Sequence, residues 1–334
     1  MATSRQKVLV TGGAGYIGSH AVLALLDAGW EVVVIDDLST GFDWAVPQGA
    51  VFVQGDVADQ ALVGGLIAAH RIGAIIHFAG SLVVPESVAN PLKYYQNNTV
   101  KGRALIESAV AGGVRHFIFS STAAVYGSPS AMPVSEEAPA VPINPYGASK
   151  LMTERMLTDA AAAHPLNAGI LRYFNVAGAD PAGRAGLSTK NATHLLKVAV
   201  EAATGTRGHV DIYGNDFDTP DGTGVRDYIH VADLAAAHVR TLERLIARPD
   251  ESLLLNCGYG HGFSVLEVLD SVDRVTNRVI ERRIAPRRAG DPPAIVADNR
   301  RILATLDWRP ERDDLDTIVA DALAWERKLA ERTR

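Results

Sequence analysis

Tyr146 and Lys150 stand four residues apart in Tyr146-Gly147-Ala148-Ser149-Lys150, a spacing that puts both side chains on one face of a helix. Pro145 is suited to start that helix, because its missing N–H would have no intrahelical partner at the first position. A phenol on the same face as an ammonium is a candidate general base. Tyrosine ordinarily titrates near 10, so proton abstraction near neutrality needs its pKa lowered by about three units, roughly 4 kcal/mol of differential stabilisation. The Lys150 charge can supply part of this, and a cationic cofactor ring would supply more. Upstream, Phe117-Ile118-Phe119-Ser120-Ser121-Thr122 reads as a buried strand delivering small hydroxyls at its carboxyl end, the edge at which open α/β sheets bind ligands. Thr122 there can bond a substrate hydroxyl and complete a Thr122, Tyr146, Lys150 site.

The elements that must position these groups begin near the N-terminus. Residues 8–20, VLVTGGAGYIGSH, read as a buried strand, a glycine turn and the first turn of a helix. Gly12 permits the tight turn, Gly15 lets the backbone approach a pyrophosphate, and Gly18 allows close helix packing, with the helix N-terminus facing the anion. A second strand, Glu31-Val32-Val33-Val34-Ile35-Asp36, ends in an acid suited to accept both hydroxyls of an adenosine ribose. Asp37 follows it and no arginine lies between Asp36 and Gly41, so a 2′-phosphate would meet repulsion without a partner. The expected cofactor is NAD rather than NADP.

Apolar runs at 7–10, 31–35, 51–53, 74–78, 116–119 and 169–173 alternate with helical patterns at 18–28, 59–70, 92–111 and 146–163. Such βα alternation predicts an α/β fold with a Rossmann-type, doubly wound parallel sheet. Beyond about Asn175 the pattern loosens into Gly- and Pro-containing loops, with helices expected at 193–204, 233–246, 264–275 and 315–330. The expected division is therefore a dinucleotide domain over 1–175 and a smaller α+β substrate domain over 176–334, some of whose elements pack back on the first. There is no internal repeat or low-complexity tract.

Composition narrows the class. The 334 residues are 47% hydrophobic and 21% charged, ordinary for a globular enzyme. A net charge of −6 argues against general nucleic-acid binding while leaving room for a local basic pocket. No apolar run approaches the roughly 20 residues a bilayer span requires. The single cysteine, Cys257, cannot form an internal disulfide, and the first strand follows the N-terminus without an apolar leader; a cytoplasmic location is expected.

With these residues in hand, the chain resembles the extended short-chain dehydrogenase/reductase superfamily and, within it, the UDP-glucose 4-epimerase family over nearly its whole length. The resemblance also rests on Val34-Ile35-Asp36-Asp37-Leu38-Ser39, His77-Phe78-Ala79-Gly80, Pro85-Glu86-Ser87, Leu171-Arg172-Tyr173-Phe174-Asn175, the run 221–231 (DGTGVRDYIHV) and Ala285-Pro286-Arg287-Arg288-Ala289-Gly290-Asp291. It implies an NAD-dependent epimerase that inverts C4 of a UDP-sugar through a transient 4-keto intermediate, working as a homodimer through helices of the first domain.

Position by position, the resemblance implies that Tyr16 and Ile17 line the pyrophosphate turn, Asp36, Asp37 and Leu38 the adenosine ribose, and Asp56 and Val57 the adenine. Phe78, Ala79 and Asn97 would line the rest of the cofactor path and Phe174 would flank the nicotinamide. On the substrate side it implies Asn175 at the diphosphate or sugar, His194 and Leu195 at a helix N-terminus over the diphosphate, and Tyr213 at the uracil. Arg226 and Arg288 would grip phosphates, as two guanidinium forks are suited to do, and Asp291 the uridine ribose. Three positions depart from familiar members: Leu82 replaces a lysine near the nicotinamide, His194 replaces an asparagine with Lys197 one turn on, and Ile295 stands where either a tyrosine or a smaller residue sets the sugar pocket.

Other readings of the same machinery stay open. A sugar-nucleotide dehydratase needs acid and base groups beside the catalytic threonine, and Ala123-Ala124-Val125 offers none. Epimerisation of an N-acetylhexosamine, pentose or uronate would use identical chemistry. A non-catalytic NAD sensor would have no need of Thr122, Tyr146 and Lys150 together.

Overall fold

Leu9 and its neighbours Val8 and Val10 alternate across one strand, and because every one of them is fully buried the strand must be covered on both faces. The computed structural model describes residues 7–189, 192–288 and 291–332, and shows how this is done. The first half runs β1 (Lys7–Thr11), α1 (Tyr16–Asp27), β2 (Val32–Asp36), β3 (Val51–Gln54), α2 (Gln60–His70), β4 (Ile72–His77), α3 (Val84–Ala89), α4 (Pro91–Tyr94), α5 (Lys101–Ala111), β5 (His116–Thr122), α6 (Pro145–Ala163) and β6 (Asn167–Tyr173). The second half runs β7 (Asn175–Ala177), α7 (Leu195–Thr204), β8 (Val210–Tyr213), β9 (Val225–Arg226), β10 (Tyr228–His230), α8 (Val231–Ala247), β11 (Leu253–Cys257), β12 (Phe263–Ser264), α9 (Val265–Thr276), β13 (Arg282–Ala285), β14 (Ala294–Ile295), α10 (Arg300–Thr305) and α11 (Leu315–Arg332).

Seven parallel strands in the order β11-β6-β5-β4-β1-β2-β3 make the central sheet. The order reverses between β1 and β4, which opens a crevice beyond their carboxyl ends. On one face Leu9, Ile75, Phe117 and Ile170 pack against Leu66 of α2, Leu105 of α5 and Leu157 of α6. On the other, Val8, Val10, Ile76 and Leu171 pack against Leu25 of α1 and Leu234 and Leu242 of α8. That second cluster continues without a break into Val200 of α7, Leu269 of α9 and Val319 of α11, so one apolar core joins the sheet to the second half of the chain.

The βα alternation of the sequence is realised, and three features go beyond it. Leu253–Cys257, absent from the expected strands, is the seventh strand, paired in register with β6. Short pairs β7/β10, β8/β13 and the trio β12/β9/β14 build the second half. Inside the helical run from α4 to α5, residues Tyr95–Val100 form a π-helical turn, a local irregularity that often marks a functional site. Among the described residues no helix is long and apolar enough to cross a membrane.

Four of the five buried histidines among the described residues, His20, His77, His230 and His238, have exposures of only 3%, 1%, 0% and 0%. Burial lowers their pKa values to about 4, 3, 3 and 4 respectively. In the unfolded chain each would titrate near 6.5, so below that pH the unfolded state binds more protons and stability falls until the folded pKa values are reached. Each histidine then contributes roughly 2 kcal/mol of lost stability between pH 7 and pH 5. Urea-unfolding midpoints measured at those two pH values should differ steeply, and a flat profile would contradict neutral burial of these rings.

Candidate active site

The glycine turn joins β1 to α1 beside the crevice. Gly12 has φ +70° and a Cβ there would lie 2.6 Å from the Ala79 nitrogen; a Cβ on Gly18 would lie 2.1 Å from the Gly12 oxygen. At Gly15 a Cβ would meet only that oxygen, at 3.2 Å, so this glycine borders open space. Gly15 caps α1 without any side-chain hydrogen bond, leaving the first amides of the helix, those of Tyr16 and Ile17 included, for an anion. Asp36 at the end of β2 accepts from the Ala14 N–H at 3.0 Å and the Leu38 N–H at 2.8 Å. Burial raises its pKa, with the neighbouring Asp37 charge acting in the same direction. A cradle of free amides followed by a carboxylate at the second strand's end fits a dinucleotide.

The remaining expected cofactor residues ring the same crevice. Asp56 pairs with Lys101 at 2.7 Å and Val57 is buried ahead of α2. The Phe78 ring packs 4.8 Å from the His238 ring, and the Ala79 N–H donates to Thr11 Oγ1 at 3.3 Å. Asn97 sits in the π turn and donates to Ser81 Oγ at 3.0 Å. Phe174 joins a small cluster with Val125, Tyr126 and Ile295.

Thr122, Tyr146 and Lys150 are brought together at the carboxyl end of β5. Asn144 caps α6 by accepting from the Gly147 N–H at 2.9 Å, and Pro145 opens the helix. Gly147 lets this helix press onto the turn after β5, where a Cβ would lie 2.5 Å from the Ala124 oxygen. The Tyr146 ring meets Tyr94 edge-on at 6.4 Å. Lys150 Nζ donates to the Ser120 carbonyl at 2.8 Å and lies 4.8 Å from the Phe119 ring centre.

The sequence leads one to expect that Lys150 acidifies Tyr146. The structure differs: burial raises the Tyr146 pKa, and the opposing influence comes from Thr122. Desolvation is what penalises the phenolate, and the Lys150 ammonium is held on the Ser120 carbonyl. Lys150 itself is lowered to about 8 by burial, held up in part by the Glu154 carboxylate.

In the second half of the chain, His194 is exposed and caps α7 without a side-chain hydrogen bond, leaving the amides that begin at Leu195 unclaimed. His194 and Tyr16 both line a small cavity of about 20 Å³ closed by Lys197, Trp325 and Glu326. Arg288 lies over the Tyr213 ring at 3.8 Å. Arg226, on β9, approaches Asp291 at 3.6 Å and donates to the Val225 carbonyl at 2.8 Å. Asn175 is exposed at the start of β7, in register with Tyr228 of β10. Lys197, one turn beyond His194, is buried and paired with Glu326 of α11. Leu82 is 53% exposed, whereas Ile295 is 8% exposed and turned into the cluster with Phe174.

Several supporting residues escaped the sequence reading. Asn98 of the π turn donates to Ser149 Oγ at 2.9 Å and accepts from the Ser81 N–H at 2.8 Å, tying the loop after β4 to the Tyr146 helix. Glu154 receives Arg172 Nε at 2.9 Å and Nη2 at 2.5 Å, and the Ser121 hydroxyl. Glu154 follows Lys150 by four residues, so helical spacing was the available signal. Glu86 of the Pro85-Glu86-Ser87 motif accepts from the Tyr94 hydroxyl at 2.9 Å and so braces the ring that meets Tyr146.

A family model described as the NAD dependent epimerase/dehydratase family matches residues 8–258. The chain is 56% identical over 323 residues to the UDP-glucose 4-epimerase of Azospirillum brasilense, covering 97% of this chain and 92% of that one. Among solved structures, the UDP-glucose-4-epimerase of Stenotrophomonas maltophila with bound NAD and formylated UDP-arabinopyranose matches with a TM-score of 0.94 at 38% identity, covering 98% of this chain and 100% of the other. The enzyme of Bifidobacterium longum in complex with NAD+ and UDP matches with 0.91 at 39% identity, covering 97% and 98%. By the extent of the family match, the shared sheet and the cradle at its crevice, the chain belongs to the NAD-dependent epimerase/dehydratase family and, within it, to the UDP-glucose 4-epimerases.

Proposed function

We propose that the chain interconverts UDP-glucose and UDP-galactose with Tyr146 as the proton carrier, and that the observation carrying this reading is the convergence of Thr122, Tyr146 and Lys150 at the sheet's carboxyl edge, where Lys150 Nζ donates to the Ser120 carbonyl. Gly12, Gly15, Gly18, Tyr16, Ile17, Asp36, Asp37, Leu38, Asp56, Val57, Phe78, Ala79, Asn97 and Phe174 hold the dinucleotide. Bound NAD supplies the acceptor and donor for the C4 hydrogen and places a positive ring where it offsets the desolvation of the Tyr146 phenolate.

Tyr146 takes the proton of the sugar 4-hydroxyl as the C4–H bond breaks, and Thr122 aligns that hydroxyl. The sugar passes through a 4-ketone. Arg226 and Arg288 neutralise the diphosphate together with the amides at His194 and Leu195, Tyr213 takes the uracil and Asp291 the uridine ribose. Asn175 meets the sugar side. With the nucleotide anchored, the hexose turns about its diphosphate link, and Tyr146 returns the proton after C4 has been rebuilt on its opposite face. The net reaction is redox neutral.

A homodimer through the first half is supported by the exposed apolar side chains Leu92, Val100 and Met152 on the helical run from α4 to α6. A cytoplasmic setting is supported by Cys257, a fully buried free thiol whose pKa burial pushes well up.

Incubation of purified protein, without added NAD, with UDP-glucose, UDP-galactose, their N-acetyl forms and UDP-xylose tests the reading. The two hexoses should reach one common mixture from either side. Conversion of another sugar alone would reassign the substrate, and no conversion even with NAD supplied would overturn the proposal.

A further inference from the structure

The segment that follows β2 does more than present Asp36, Asp37 and Leu38. It curls back onto the glycine turn: Leu38 adopts φ +58°, a Cβ on Gly41 would lie 2.9 Å from the Ala14 carbonyl carbon, and the Phe42 N–H donates to the Ala14 carbonyl at 3.1 Å. From there an aromatic ladder leaves the first half of the chain. Phe42 stacks on Trp44 at 5.1 Å, Trp44 stacks on Trp325 of α11 at 6.5 Å with planes 25° apart, and the Arg332 guanidinium lies 4.2 Å over Trp44. None of these four side chains belongs to the hydrophobic clusters of the described residues.

Trp325 also grips a second segment. Its ring fills the place of a Cβ on Gly186, and its indole N–H donates to Ser188 Oγ at 3.2 Å. Lys328, on the same helix, donates to the Gly183 carbonyl at 2.7 Å. That segment begins at Gly178, whose carbonyl accepts the Tyr16 hydroxyl at 2.7 Å, and Ala179 pairs with Gly186. The path from Ala14 through Phe42, Trp44, Trp325, Gly186 and Gly178 to Tyr16 therefore closes on itself around the glycine turn.

We propose that Phe42, Trp44, Trp325 and Arg332 form a clasp that retains the cofactor: the dinucleotide leaves only when α11 parts from the segment after β2. The clasp rests on the reading of the glycine turn and Asp36 as the dinucleotide's pyrophosphate and ribose sites, and it explains why a redox-neutral enzyme would connect its C-terminal helix to the adenosine end. A cofactor that is regenerated in every turnover gains nothing by exchanging, so tight closure at the end remote from the chemistry costs no rate.

The test is cofactor release from the purified holoenzyme. Trp44→Ala removes both stacks and the guanidinium interaction, and should release NAD roughly tenfold faster than the parent, the scale expected when an aromatic stack and a cation–π interaction are removed together. Release is followed as NAD recovered in deproteinised filtrate after successive buffer exchanges. Trp44→Phe, which keeps a ring in the ladder, should retain most of the cofactor, and added NAD should restore turnover to Trp44→Ala without a change in KM for UDP-glucose. A folded Trp44→Ala that holds NAD as long as the parent overturns the clasp. If Trp44→Ala does not fold, Arg332→Ala decides: release several-fold faster supports the clasp, and parental release overturns it. Loss of sugar conversion with NAD still bound would instead count against the epimerase reading, so the two failures are separable.

Discussion

Tyr146→Phe should lower epimerase turnover by roughly three orders of magnitude while leaving the fold and the bound NAD in place, the scale associated with removing a positioned general base. The side chain makes this a clean experiment. Its ring rests edge-on against Tyr94, so phenylalanine keeps the packing and deletes the oxygen that carries the proton. Circular dichroism and cofactor content serve as controls. Turnover near the parental value would remove Tyr146 from the mechanism.

Glu154→Gln is expected to strike both stability and the pH profile. Glu154 and Arg172 are each 4% exposed and joined by two hydrogen bonds, so neutralising the carboxylate strands a buried guanidinium at a cost of about 3–5 kcal/mol. That should lower the unfolding midpoint by roughly 5 °C. The same carboxylate helps keep Lys150 charged, with the Lys150 pKa held to about 8 against burial. Removing it drops that pKa further, so the cation is lost at lower pH and the alkaline limb of kcat/KM moves down. A Glu154→Leu, Arg172→Met double variant should recover much of the stability, because an apolar pair of similar volume leaves no stranded charge, yet keep the displaced limb. If the limb stays at its parental position in both variants, Glu154 acts only as a structural ion-pair partner.

The glycine turn, the acid at the end of β2 and the Tyr146 helix were legible because each is local: a handful of neighbouring residues carries the whole signal. The seven-stranded sheet was mostly legible for the same reason, since strand and helix periods alternate along the chain. What escaped depends on partners distant in sequence. Leu253–Cys257 is too short an apolar run to declare itself as a strand, and only its register with β6 makes it one. Asn98 reads as an ordinary polar helix residue until the π turn aims it at Ser149. Spacing likewise shows that Tyr146 and Lys150 share a face, and it does not show that Lys150 Nζ donates to the Ser120 carbonyl. Trp44 and Trp325 carry no joint signature at all, being in contact only because α11 returns to the first half of the fold.

The placement of β11 has a bearing on how the polypeptide matures. Its ladder covers the outer edge of β6, the strand bearing Arg172 and leading into Phe174 and Asn175, and it delivers Asn256 to the Tyr126 hydroxyl at 2.6 Å. While the ribosome has yet to release that late strand, β6 is an open rim able to pair with a neighbouring nascent chain. In the interval between synthesis of these two strands β6 is therefore an uncovered edge, closed only when β11 pairs with it.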